Sequence, residues 1–144
     1  ANNCALNFLA YRQRSEKEIQ DKLIQKGFHG ECIKNTINYL KNQNLIDDLE
    51  FAKSFAKDKI NINKYGPKRV KYELYQKGIP REIINQVLDE DDSQYARALD
   101  LARKKLSSYK NDDKSAQYRK LGGFLQRKGY SLDCIYRVLN KLLR

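Results

Sequence analysis

The chain has 144 residues and carries 29 Lys and Arg against 18 Asp and Glu, a net charge of +11 that points to an anionic partner such as nucleic acid. Its three cysteines, Cys4, Cys32 and Cys134, are widely spaced and form no Cys-x-x-Cys pair, which excludes the usual zinc patterns and a disulfide framework. No apolar run approaches the ~18 residues a membrane span needs, no signal peptide precedes Cys4, and free, mostly buried thiols suit a reducing cytoplasm. The sequence contains no Met, so the natural start is expected to lie upstream of Ala1.

Apolar spacing predicts nine helices and no strand, hence an all-α fold. The first helix runs from about Cys4 to Arg12, with Leu6, Leu9 and Ala10 facing inward. Ser15 and Glu18 form a capping box that opens the second, Glu16 to Lys26, and a third follows from Glu31 to Asn42. Asp47, Asp48 and Glu50 open the fourth, Leu49 to Ile60, where carboxylates offset the helix dipole. Pro67 and Pro80 fit the first turns of the fifth, Pro67 to Lys77, and the sixth, Arg81 to Asp89, because a missing N–H is harmless there. The last three run from Gln94 to Leu106, Ala116 to Lys128 and Leu132 to Leu143. Ile60 to Gly66 and Ser107 to Ser115 read as loops, and Asp89-Glu90-Asp91-Asp92 as an acidic joint.

Three of these helix pairs are copies. Lys26-Gly27-Phe28, Lys77-Gly78-Ile79 and Lys128-Gly129-Tyr130 recur at 51-residue intervals. Eight residues before each glycine stand Ile19, Val70 and Leu121, and four before stand Leu23, Leu74 and Leu125. Six after come Ile33, Ile84 and Ile135, followed by Thr36-Ile37, Val87-Leu88 and Val138-Leu139. Each set shares a helical face, so the unit is helix, Gly turn, helix, with glycine in the left-handed conformation that commonly ends a helix. A helix precedes each pair: Leu6/Leu9-Ala10, Ala52/Phe55-Ala56 and Ala98/Leu101-Ala102 recur at 46 residues. The reading is three tandem three-helix, helix-turn-helix-like repeats, 1–48, 49–91 and 92–144. Each is too small to be comfortable alone, so they are expected to pack in series as an elongated, curved array.

The charge is uneven: the repeats carry 7 basic against 6 acidic residues, 9 against 7, and 13 against 5. The third is therefore the expected contact surface, with Arg103, Lys104, Lys105, Arg119, Lys120, Arg127 and Lys128 as its phosphate- or protein-binding residues. Lys68, Arg69 and Lys71 form a second patch. Tyr65, Tyr72, Tyr75, Tyr109 and Tyr118 lie near basic residues, where unpaired bases stack on aromatic faces, although helical tyrosines more often serve the core with a wet hydroxyl.

Catalytic chemistry finds little to use. His29 is the one histidine, in a turn after Gly27, and there is no nucleophile with its base and no Gly-rich phosphate loop. A nuclease would need carboxylates to hold magnesium, and only Asp47-Asp48 and the 89–92 run offer density. No enzyme, cofactor or metal is expected.

Tyr11-Arg12-Gln13-Arg14-Ser15-Glu16-Lys17-Glu18-Ile19, with Lys22-Leu23 and Lys26-Gly27-Phe28, resembles the opening motif of the bacterial RecX family of recombination regulators. Leu45-Ile46-Asp47-Asp48 with Phe51-Ala52 resembles its second signature, and Gly66-Pro67-Lys68-Arg69-Val70 with Glu73-Leu74 and Lys77-Gly78-Ile79 its third. Leu125 to Tyr130 with Ile135 is similar to its C-terminal repeat. The resemblance implies a cytoplasmic, non-enzymatic regulator in DNA repair and the SOS response. It would bind the RecA filament on single-stranded DNA, and duplex DNA weakly, and inhibit RecA's ATPase, strand-exchange and co-protease activities. A monomer is expected. The alternative is a helix-turn-helix transcription regulator, in which the second helix of each pair reads bases; those helices begin with the acids Glu31, Glu82 and Asp133, which would meet phosphates.

Overall fold

The computed structural model describes residues 1–88 and 93–144; the acidic run 89–92 lies outside them. Among the described residues the chain forms α1 (Asn2–Tyr11), α2 (Glu16–Gln25), α3 (Gly30–Asn42), α4 (Asp48–Asn61), α5 (Pro67–Gln76), α6 (Arg81–Val87), α7 (Ser93–Leu106), α8 (Lys114–Lys128) and α9 (Leu132–Leu143), with a 3-10 turn at Ser107–Tyr109. The fold is all-α and comprises three tandem three-helix repeats. None of its described helices is long and apolar enough to cross a membrane.

Local chemistry sets the ends. The Ser15 hydroxyl accepts from Glu18 N–H at 3.2 Å while the Ser15 N–H donates to Glu18 Oε1 at 3.0 Å, so both arms of the capping box are made. α8 begins two residues earlier than the apolar spacing suggests, because Asp113 accepts from Ala116 N–H at 2.8 Å and fixes the start. Pro80 stands one residue outside α6 and serves through its carbonyl, which accepts from Ile84 N–H at 3.1 Å.

The three turns share one geometry. Gly27, Gly78 and Gly129 have φ of +90°, +78° and +97°. The next residue's N–H reaches back to the carbonyl five positions earlier: Phe28 to Leu23 at 3.1 Å, Ile79 to Leu74 and Tyr130 to Leu125 at 3.2 Å. This bond closes the helix end, and only a left-handed residue permits it without strain.

The repeated apolar positions are the core. Ile19, Val70 and Leu121, with Leu23, Leu74 and Leu125, are all fully buried, and Ile33, Ile84 and Ile135 nearly so. α1 is the exception. Ala5 is its buried residue, packed in a cluster with Ile19, Leu23, Ile33, Ile37, Leu40 and Ile46 and flanked by Leu9. The expected Leu6 and Ala10 are exposed. The register of the first helix thus lies one residue earlier than 46-residue spacing gives, because α1 offers apolar residues on adjacent faces and only packing chooses between them. Cys32 is also exposed rather than buried, while Cys134 is buried and Cys4 intermediate.

Two compact units divide the described chain. The first comprises Ala1–Phe55 and Glu73–Val87, the second Ala56–Tyr72 and Leu88–Arg144. The first has the cluster around Ile19 and Leu23 as its core. In the second, α7, α8 and α9 pack against one another around Ala98, Ala102, Leu121, Leu125, Tyr130, Ile135, Val138 and Leu139. Each unit also contains one joint between consecutive repeats.

Candidate nucleic-acid interface

The first unit joins repeats 1 and 2 through side chains. Ser15, fully buried, donates its hydroxyl to the Lys77 carbonyl at 2.7 Å while capping α2. Glu18 lies between Arg12, at 2.6 Å, and the Lys77 ammonium, at 3.3 Å. Burial works to raise the Glu18 carboxyl, but the hydrogen bonds from Arg12 and the Ser15 N–H, with the charges of Lys77 and Arg12, outweigh it and hold the group below its ordinary value. Asp48 at the start of α4 accepts from Glu16 N–H at 3.0 Å. Burial dominates there and pushes the Asp48 carboxyl up, helped by the charges of Glu16 and Asp47 against the Glu16 hydrogen bond and Lys41. Asp47 caps α4 by accepting from Leu49 N–H at 3.0 Å. These contacts give both aspartates a structural task. Arg14 lies over the Phe8 ring at 3.7 Å, so it is likewise engaged within the fold. His29 caps α3 with its backbone and is exposed.

The second unit joins repeats 2 and 3 through backbone. Gly66 N–H donates to the Lys128 carbonyl at 2.7 Å and Lys68 N–H to the Gly129 carbonyl at 3.0 Å. A Cβ on Gly66 would stand 2.5 Å from the Gly129 carbonyl carbon, so no side chain fits. Around this joint the Arg69 guanidinium donates to the Arg127 carbonyl at 3.0 Å, the Lys128 ammonium to the Asn63 carbonyl at 3.2 Å, and the Tyr130 hydroxyl to the Lys64 carbonyl at 2.7 Å.

From that joint a continuous alternation of cations and rings runs across the unit. Arg69 lies 3.9 Å and Lys128 5.4 Å from the centroid of Tyr65, with Lys59 at 5.9 Å. Lys128 is also 5.8 Å from Phe124, which Lys105 approaches at 5.1 Å. Lys105 is 5.9 Å from Tyr109, and Lys120 5.7 Å from the same ring. The order is Arg69, Tyr65, Lys128, Phe124, Lys105, Tyr109, Lys120. Lys120 is held in addition by Asp112 at 2.8 Å.

Helical geometry explains this selection. Lys120, Phe124 and Lys128 are four apart on α8 and form one stripe, and Lys105 and Tyr109 are four apart where α7 runs into its 3-10 turn. Of the basic residues singled out in the sequence, Lys105, Lys120, Lys128 and Arg69 enter the ladder. Arg103, Lys104, Arg119, Arg127, Lys68 and Lys71 are exposed outside it. Lys104 pairs with Asp100 at 3.1 Å on its own helix. Phe124 and Lys59 were missed; the four-residue spacing on α8 was the signal for Phe124. Among the tyrosines, Tyr65 and Tyr109 are half-buried in the ladder, while Tyr72, Tyr75 and Tyr118 are exposed.

Family models covering most of the chain match it in order: the first three-helix domain of RecX at residues 1–40, the second at 47–88 and the third at 91–139. The chain belongs to the RecX family. "Regulatory protein RecX" of Clostridioides difficile is 39% identical over 99% of this chain and 68% of its own. The protein of that name from Prosthecochloris aestuarii is 36% identical over 99% of this chain and 93% of its own. The crystal structure of RecX from Lactobacillus salivarius superposes with a TM-score of 0.87 at 34% identity, covering 98% of this chain and 93% of that one. Many of the residues by which this sequence resembles the RecX family, Arg12, Ser15, Glu18, Gly66 and the two Lys-Gly turns 77–78 and 128–129, belong to the two joints. The ladder draws on Arg69 and Lys128 from those motifs and otherwise on residues outside them.

Proposed function

We propose that this RecX-family chain regulates the RecA recombinase by binding its filament on single-stranded DNA, and that it inhibits ATP hydrolysis, strand exchange and co-protease activity in DNA repair and the SOS response. The observation that carries the reading is the ladder of Arg69, Lys128, Lys105 and Lys120: four cations held in order by rings, in a chain whose relatives are named regulatory proteins. Such a row suits a phosphate backbone, whose contacts position a protein without reading sequence. The exposed Arg103, Lys104, Arg119, Arg127, Lys68 and Lys71 supply flanking charge for DNA or for acidic RecA surface. Repeats 1–48, 49–91 and 92–144 act as linked modules whose weak contacts add through effective concentration, so that one chain bridges successive RecA subunits. The chain does this as a cytoplasmic monomer and without catalysis. Glu31, Glu82 and Asp133 in the first turns of α3, α6 and α9 weigh against the transcription-regulator alternative, in which those helices enter the major groove.

The test is RecA's single-stranded-DNA-dependent ATP hydrolysis, titrated with the protein at fixed DNA. Inhibition at amounts too small to coat the DNA is the expected result. Loss of hydrolysis only when the DNA is saturated would reduce the chain to a general DNA-binding array, and a sequence-specific footprint on duplex DNA without RecA would favour the transcription-regulator reading.

A further inference from the structure

Each ring of the ladder already carries at least two cations: Arg69, Lys128 and Lys59 on Tyr65, Lys105 and Lys128 on Phe124, Lys120 and Lys105 on Tyr109. A nucleobase stacking there would compete with an ammonium or guanidinium for the ring, and the two contacts are of comparable strength, so the exchange gains little. The rings have a different use. Fixing a free lysine side chain on a ligand costs much of its rotamer freedom, and a lysine already resting on aromatic faces has lost part of it before the ligand arrives. An ammonium offers three N–H donors, so a ring on one side leaves others for an anion.

The spacing fits a polymer of phosphates. Lys120 and Lys128 lie two turns apart on α8, about 12 Å by helical rise, which is the rise of roughly three to four phosphates along one stacked strand. Lys105 reaches the two rings between them, Tyr109 and Phe124. Asp112 occupies Lys120 at 2.8 Å and the Asn63 carbonyl occupies one donor of Lys128 at 3.2 Å, contacts a multiply charged chain would share or displace.

We propose that the ladder is a base-independent site for linear polyphosphate chemistry, taking phosphodiesters and phosphoanhydrides alike, so that single-stranded nucleic acid and inorganic polyphosphate compete for it. This rests on the reading of the ladder as the DNA-facing surface. The rings orient cations and do not read bases.

The experiment is fluorescence anisotropy of the full chain with labelled oligothymidylate and with an abasic oligonucleotide of the same length, each challenged with long-chain inorganic polyphosphate. The two oligonucleotides are expected to bind within about threefold of each other, and polyphosphate to displace both. With four ladder cations on a single strand, log affinity against log salt should have a slope of about −3. Lys105→Gln with Lys120→Gln should weaken all three ligands by about tenfold or more, whereas Lys141→Gln on α9 changes them by less than about twofold. Phe124→Leu, which keeps the apolar volume but removes the ring, should weaken DNA and polyphosphate equally, by about threefold. Circular dichroism establishes that each variant is folded. A preference of tenfold or more for the base-bearing strand, a Phe124→Leu defect confined to it, or polyphosphate that fails to displace DNA would each overturn the proposal. If the double variant loses both anions yet still inhibits RecA's ATP hydrolysis, the site stands and its role on the filament falls. If polyphosphate binding survives the double variant, the site itself falls.

Discussion

The joints between repeats occupy equivalent places in the two units and are built differently. Twelve residues before the turn glycine, repeat 1 has Ser15 and repeat 2 has Gly66, and both meet the Lys-Gly turn of the repeat that follows. Ser15 spans to the Lys77 carbonyl with a hydroxyl and recruits Glu18, Arg12 and Lys77 into an ion-paired clamp. Gly66 removes the side chain and lets two backbones touch. The same connection is therefore made once through an ion-paired clamp, whose strength depends on pH and salt, and once chiefly through backbone hydrogen bonds and close packing, which depend on them far less. The second solution also brings the 62–66 loop against α8 and so places Tyr65 between Arg69 and Lys128, linking that joint to the ladder.

The largest effect should come from forcing a side chain into the backbone joint. Gly66→Ala is expected to cost about 3 kcal/mol or more, because the atoms its Cβ meets are backbone and have no rotamer to yield; urea unfolding that shows less than about 1 kcal/mol would mean the joint is looser than described. Ser15→Ala should cost about 2 kcal/mol, combining a lost helix cap with a Lys77 carbonyl deprived of its hydroxyl donor.

Glu18→Gln should cost about 1 kcal/mol at neutral pH, with a distinct pH signature. The folded carboxyl lies below its ordinary value, so its contribution is present above the unfolded pKa and lost as pH falls through the folded one. The gap in Tm between variant and parent should therefore shrink on acidification, and a constant gap would exclude the ion-paired clamp. Asp48 runs the other way. Its carboxyl is raised, so its contribution is full at low pH and declines as pH rises through the folded value. Asp48→Asn, which keeps an oxygen for the Glu16 N–H, should match the parent at low pH and be slightly more stable at neutral pH.

The smallest test isolates the turn from the joint. A Cβ on Gly27 meets nothing within 4 Å, whereas one on Gly129 meets Arg69. Gly27→Ala should then cost about 1 kcal/mol, for the left-handed conformation alone, and Gly129→Ala clearly more. Equal losses would show that the contact with Arg69 adds nothing.

Much of this was open to reading along the chain. Ile19, Val70 and Leu121 with their partners repeat at fixed distances from each glycine, and a helix obliges such residues to share a face, so periodicity alone identified the repeat, the turn and most of the core. Where periodicity was ambiguous it failed: Ala5, Leu6, Leu9 and Ala10 allow two registers for α1, and the packing against Ile19 and Leu23 selected Ala5. The ladder was half legible. The basic pairs 104–105, 119–120 and 127–128 each contribute one residue to the ladder, and the spacing of Lys120, Phe124 and Lys128 marks a stripe, but adjacent residues on a helix point about 100° apart and periodicity does not say which of each pair meets the rings.

By itself the sequence determined that this is an all-α chain of three repeats with its positive charge concentrated in the last, because helical period, capping and charge are properties of neighbouring residues. Tertiary structure alone decided that Ser15 would meet Lys77, that Gly66 would touch Gly129, and that Tyr65 would sit between Arg69 and Lys128. Apart from Tyr65 with Arg69, which are close in sequence, those contacts join residues some 60 positions apart, and which groups meet over such separations is fixed by how the helices pack.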